Sequence, residues 1–156
     1  MTTLFAVDAS VFVAACRQRE PGHLASVDFM EALLDADVLL VEPAILPVEV
    51  GGALHRAGVD AESAREYAES LFAQPCLTLV ATDERMARRS LALAIQCRLR
   101  GADALYVTTA AQYGARLVTL DAEQLERSPA SVHACKPDAA VRLLKKASDT
   151  QTQGGE

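Results

Sequence analysis

An α/β fold is predicted for this chain: a three-layer sandwich with a central, mainly parallel sheet of about four or five strands flanked by helices. Short apolar runs recur at Leu4–Val7, Val38–Val41, Leu77–Val80 and Arg116–Leu120, each the length of a strand buried on both faces. Segments with helical spacing separate these runs, and such alternation feeds parallel pairing through right-handed crossovers. The first and last of the runs lead directly into Asp8 and Asp121. Strand C-termini and the helix starts that follow them share one edge of a parallel sheet, so those acids have a common destination.

Leu4–Val7 is the first strand and delivers Asp8 to its C-terminal tip, with a helix following from about Ser10. Ala25–Leu34 has helical spacing, and Val38–Val41 is a second buried strand, stopped by Glu42-Pro43. The next helix starts near Pro43 or resets at Pro47, because proline is accepted in a first turn and penalised beyond it, and it runs to about Arg56 before Gly58. Ala61–Phe72 is a further helix and Leu77–Val80 the third strand. Thr82-Asp83-Glu84 then caps a long helix whose core stripe is expected to be Ala87, Leu91, Ala94, Ile95 and Leu99. Asp103–Tyr113 is helical up to Gly114, Arg116–Leu120 is the fourth strand, and Val132–Ala134 forms a fifth at the edge. Val141–Leu144 suggests a last short helix. Residues 1–147 make one domain, and the polar, glycine-ending stretch 148–156 has too little apolar surface to order itself.

A chain of 156 residues buries most of its apolar surface without disulfides or structural metal. Although 51% of it is hydrophobic, its apolar stretches are only a few residues long, far short of the roughly 20 that span a bilayer. The start of the sequence lacks a basic segment followed by a long apolar run, so no secretory signal is expected and the cytoplasm is the expected compartment. Cys16, Cys76, Cys97 and Cys135 are widely spaced with no Cys-x-x-Cys pair, which argues against zinc and reads as reduced, mostly buried thiols. A net charge of −6 opposes polyanion binding by bulk field. A nucleic-acid substrate would therefore need bound metal and a local basic patch.

Asp8, Glu49, Asp103 and Asp121 are the candidate site. Asp8 and Asp121 follow strands and Asp103 opens a helix, while helical spacing puts Glu49 with Ile45, Leu46 and Ala53 on an inward face. A carboxylate there must be protonated, salt-bridged or metal-bound, because an unpaired buried charge costs several kcal/mol. Taken singly, the three aspartates also read as helix caps or turn residues, and Glu49 as a partner of Arg56. Four such explanations would have to hold at four correctly placed positions, and a shared cation accounts for all of them at once.

At these residues the sequence resembles the PIN-domain family. The resemblance runs through Val7-Asp8-Ala9-Ser10, Pro47-Val48-Glu49-Val50-Gly51-Gly52-Ala53-Leu54, Gly101-Ala102-Asp103-Ala104-Leu105-Tyr106-Val107 and Leu117-Val118-Thr119-Leu120-Asp121, and covers about the first 135 residues. It implies Mg2+ or Mn2+ held by Asp8, Glu49, Asp103 and Asp121, and hydrolysis of RNA by a metal-activated water to 5′-phosphate and 3′-hydroxyl ends. Glu49 is left as either ligand or proton acceptor. Ser10 and Thr119 fall where the family often keeps small hydroxyl residues, which suggests hydrogen bonds to the carboxylates. In size and layout the chain is similar to the small VapC-like toxins, which implies an RNA endonuclease restrained by an antitoxin protein and assembling as a homodimer. One departure is Gln124, where many relatives carry a further acid; Glu123 lies off that register, and a second metal ion stays open.

Arg85, Arg89 and Arg100 are expected to share the polar face of the long helix, with Arg88 and Arg98 beside them, as either a phosphate-binding patch or a solvated face. His55 and Arg56 end the Glu49 helix within reach of a phosphate, while His23 and His133 have no supporting context. Sparse aromatics and no tryptophan exclude a base-stacking platform. Two other readings compete. A phosphoacceptor signalling domain also sets acids at strand ends, and Lys136-Pro137 is similar to its lysine-proline signature, but Asp8 stands alone where that domain has an acidic pair. A catalytically inactive PIN-like module that binds RNA or protein is the second alternative, motivated by Gln124.

Overall fold

The computed structural model describes residues 2–153. Five strands, β1 (Thr3–Val7), β2 (Val38–Pro43), β3 (Leu77–Val80), β4 (Arg116–Val118) and β5 (Ala134–Cys135), form one sheet in the order β3-β2-β1-β4-β5, and every pairing is parallel. The chain adds β2 and β3 on one side of β1, then returns to add β4 and β5 on the other. β1 is therefore the switch strand, and the crevice beyond the tips of β1 and β4 is where such sheets place a site.

The connections are α1 (Ala9–Cys16) and α2 (His23–Leu34), α3 (Leu46–Arg56) and α4 (Ala61–Phe72), α5 (Glu84–Cys97) and α6 (Gly101–Tyr113), α7 (Ala122–Arg127), and finally α8 (Pro137–Gln153). α6 lies across β1, β2 and β4 with α5 packed on its outside. Right-handed crossovers put this pair on the face opposite α1 to α4, because the direction of strand addition reverses after β3. The inner strands are apolar on both faces: Phe5, Ala6 and Val7 of β1 and Leu117 and Val118 of β4 are fully buried. Phe5 meets Phe29 of α2 edge to face at 5.7 Å between ring centroids. At Gly51 a Cβ would stand 3.1 Å from the Cβ of Ala68, so glycine lets α3 and α4 close on each other.

Several expectations are corrected. β2 does not stop before Glu42-Pro43; it runs through both, pairing Glu42 with Leu79 and Pro43 with Val80. The β1–β2 ladder ends earlier, at Phe5 and Leu40, so the missing Pro43 N–H costs that ladder nothing. On α5 the buried positions are Met86 and Ser90, with Leu93 and Ala94 half-buried, whereas Ala87, Leu91 and Ile95 face outward. Leu99 is buried but lies past the helix end. None of the four cysteines is fully buried: Cys16 and Cys76 are exposed, Cys97 and Cys135 half-buried, and all are free thiols. The final helix is longer than expected, since α8 packs on α2 and continues through residues 148–153 on its own i to i−4 bonds, supported by Ser148 Oγ to Leu144 O and Thr150 Oγ1 to Lys146 O. Residues 154–156 of the expected unstructured tail lie outside the described residues.

Candidate metal centre

Asp8 ends β1 and caps α1. Its backbone N–H donates to Val118 O of β4 at 2.9 Å, and its Oδ2 accepts from the Ser10 N–H at 3.3 Å and the Thr119 hydroxyl at 3.2 Å. Fully buried Thr119 also accepts the Asp121 N–H at 3.0 Å, so one hydroxyl ties the tips of β1 and β4 together. Ser10 Oγ accepts the Leu120 N–H at 3.2 Å and reaches the turn backbone rather than an acid. Asp121 caps α7 through Gln124 N.

Asp103 sits in the first turn of α6, which carries it toward this edge. Its Oδ1 accepts from Gln124 Nε2 at 2.9 Å, while its Oδ2 is buried with no hydrogen-bond partner. Gln124 is fully buried, and this uncharged amide fixes one oxygen of Asp103 while the other, without a hydrogen bond, stands 3.4 Å from the Arg100 guanidinium. Asp103, Asp121 and Glu123 each offer an oxygen lying within 4.8 Å of the others; among the described residues no other set of three acids, cysteines or histidines meets that distance. Asp8 stands outside that set but is joined to it through Thr119. Glu49 faces the cluster from α3 beside the buried Tyr106 hydroxyl, which interacts with its carboxyl outside good hydrogen-bond geometry.

The charges follow this geometry. Burial raises the Glu49 pKa first; the Tyr106 hydroxyl opposes the rise, Asp8 and Asp103 add to it, and Arg56 opposes it. Burial also raises that of Asp103, helped by Asp121 and Asp8 and opposed by Gln124 and Arg100. The Tyr106 phenol is pushed far up by burial and by Glu49.

Glu42 belongs with these groups and escaped the sequence reading, which took it as a strand stop. Its fully buried side chain accepts the Val7 N–H on Oε1 at 2.7 Å, taking the place of a backbone carbonyl where the β1–β2 ladder has ended, and its Oε2 has no partner. Burial raises its pKa well above the ordinary 4.5, partly offset by that backbone bond, with the Asp8 charge adding to the rise. An acid closing an apolar run was the available clue. Glu123, set aside as off register, joins Asp103 and Asp121 at the start of α7, its carboxylate oxygen within 4.8 Å of theirs.

An all-oxygen donor set with unsatisfied buried oxygens fits a hard divalent cation. Four of the other candidates have local partners. His23 Nδ1 lies 2.7 Å from Ala14 O and His55 Nδ1 2.9 Å from Val59 O, Arg88 pairs with Glu84, and Arg89 donates to Gln112. Arg100 is not on the α5 face at all, because α5 ends at Cys97 and Arg98 takes a left-handed φ of 55°. A cleft of about 600 Å3 lined by Ser10, Pro21, Val48, Glu49, Arg56 and Leu120 borders the acids.

The PIN domain family model matches residues 5–128 of this parallel α/β chain, and the chain belongs to that family. Among solved structures it is similar to PAE2754 from Pyrobaculum aerophilum, with TM-score 0.67 and 22% identity over 94% of this chain and 98% of the other. It is also similar to VapC20 of Mycobacterium tuberculosis, described as a sarcin-ricin loop cleaving toxin, with TM-score 0.67 and 12% identity over 84% and 99% of the two chains. FitAcB from Neisseria gonorrhoeae gives TM-score 0.61 and 19% identity over 85% and 97%. No curated protein matches the chain in sequence.

Proposed function

We propose that the protein is a Mg2+- or Mn2+-dependent endoribonuclease, the toxin of a VapBC-like pair, working in the cytoplasm as a homodimer and restrained by an antitoxin. The observation that carries this reading is the gathering of Asp8, Asp103 and Asp121 at the tips of β1 and β4, bridged by Thr119, with the oxygens of Asp103 and Asp121 clustered beside Glu123. Structural neighbours that are a toxin and toxin–antitoxin complexes support it, and no helix among the described residues is long and apolar enough to cross a membrane.

In this reading Asp8, Asp103 and Asp121 would hold the cation, which would supply charge neutralisation at the phosphate and a more acidic water. Thr119 fixes the separation of Asp8 and Asp121, and Gln124 orients Asp103. Glu49, held across from them with a raised pKa, takes the proton from the attacking water. The RNA backbone approaches along the cleft beside Arg56.

Incubating purified, partner-free protein with total RNA in Mg2+, Mn2+ or EDTA tests this. Discrete metal-dependent fragments, lost in a folded Asp103→Asn variant, are expected. The neutral Gln124 amide on Asp103 favours one other reading, an inactive RNA- or protein-binding module, and intact RNA in every metal would leave that reading standing.

A further inference from the structure

Arg100 opens α6 with an extended backbone, φ −65° and ψ 156°, just after the left-handed turn at Arg98. That turn takes its side chain off the basic face of α5 and lays it on the acids. Arg100 Nε stands 3.4 Å from Asp103 Oδ2 and 3.9 Å from Glu123 Oε2, and its Nη2 is 3.4 Å from Asp121 Oδ2. These are the same three residues whose carboxylate oxygens cluster within 4.8 Å. One guanidinium is thus in ion-pair range of every carboxylate in the group.

The hold is loose. Arg100 keeps 72% of its side chain exposed, its Nη2 donates a long 3.4 Å hydrogen bond to Asp121 Oδ2, and Asp103 Oδ2 gains none from it. Arg127, the other arginine nearby, is engaged by Glu123 and by Arg98 O. Exposed ion pairs each contribute at most about 1 kcal/mol, so a doubly charged ion seeking the same oxygens can displace the contact.

We propose that Arg100 is a resident counter-cation of the Asp103–Asp121–Glu123 group, which a divalent cation must displace in order to bind. The inference rests on the metal-site reading above. Arg100 thereby sets the cation concentration at which the site fills: it offsets part of the acids' charge in the unloaded protein and swings off them as loading proceeds. Its side chain makes no capping bond to α6, so replacing it leaves the helix start intact.

Calorimetric titration of MnCl2 into wild type, Arg100→Gln and Arg89→Gln at low ionic strength, together with the 15N-detected Arg100 Nε–H resonance under Mg2+ titration, tests the proposal. Arg100→Gln is expected to bind Mn2+ about five- to tenfold more tightly than wild type, with Arg89→Gln unchanged, and the Arg100 resonance is expected to shift with the midpoint of metal binding. Equal affinity in wild type and Arg100→Gln, an equal gain in Arg89→Gln, or an unmoved resonance overturns it while leaving the metal centre in place. Absence of Mn2+ binding in both wild type and Arg100→Gln removes the metal centre itself, and the proposal with it.

Discussion

Where β1 meets β4, Asp8, Thr119, Ser10 and Asp121 are tied to one another and to backbone N–H groups across the sheet edge. Where β1 meets β2 and α3, Glu42 Oε2 is buried with no hydrogen-bond partner, and Glu49 has only the loosely placed Tyr106 hydroxyl beside it. The first side is fixed by folding alone, since its bonds are complete without a ligand. The second carries carboxyls whose pKa values burial raises. Burial of this kind favours the uncharged form until a cation is near, and buried acids with raised pKa values concentrate at functional sites.

The largest expected effect tests whether the two sides serve one chemistry. Asp8→Asn keeps an oxygen for Thr119 and Ser10 but loses the charge, so metal-dependent cleavage should fall on the order of a hundredfold with the circular dichroism spectrum unchanged. Retained cleavage would detach the bonded side from the site. Next, Thr119→Val removes the bridge and leaves the Asp121 N–H without its acceptor, at a cost of about 2 kcal/mol in urea unfolding. A cost near zero would show that the edge is held by packing instead.

The smallest effect is in the pH dependence of the other side. A raised folded-state pKa for Glu42 means that its contribution to stability is fully present below about pH 4.5 and is lost as pH rises through the raised value. Metal-free wild type should therefore lose stability from pH 5 to pH 8 in thermal melts. Glu42→Gln, which still accepts the Val7 N–H, should flatten that slope, leaving the part due to Glu49 and Asp103. Parallel curves for the two proteins would mean that Glu42 does not carry the proton.

The comparison also explains what the sequence made legible. Apolar runs ending on Asp8 and leading into Asp121 announce a sheet edge, because strand tips are local features and the parallel order follows from alternation. Glu49 was readable from helical spacing. Glu42 was not, since its role depends on the β1–β2 ladder ending at Phe5 and Leu40, a tertiary fact. Arg100 was misplaced because one left-handed residue, Arg98, ends α5 where apolar periodicity alone runs on to Leu99. The same periodicity put Leu91 and Ile95 inside, yet they are 60% and 73% exposed, because α5 covers α6 with its Met86, Ser90 and Leu93 side.

The central claim is that these acids form a cation site, and the most direct test is the anomalous difference map of a crystal grown or soaked with Mn2+. The expected result is a peak bonded to Asp8, Asp103 and Asp121, with Arg100 turned away from it. A map with no peak at these carboxylates at saturating Mn2+, or with Mn2+ bound elsewhere and Arg100 still on the acids, would contradict it.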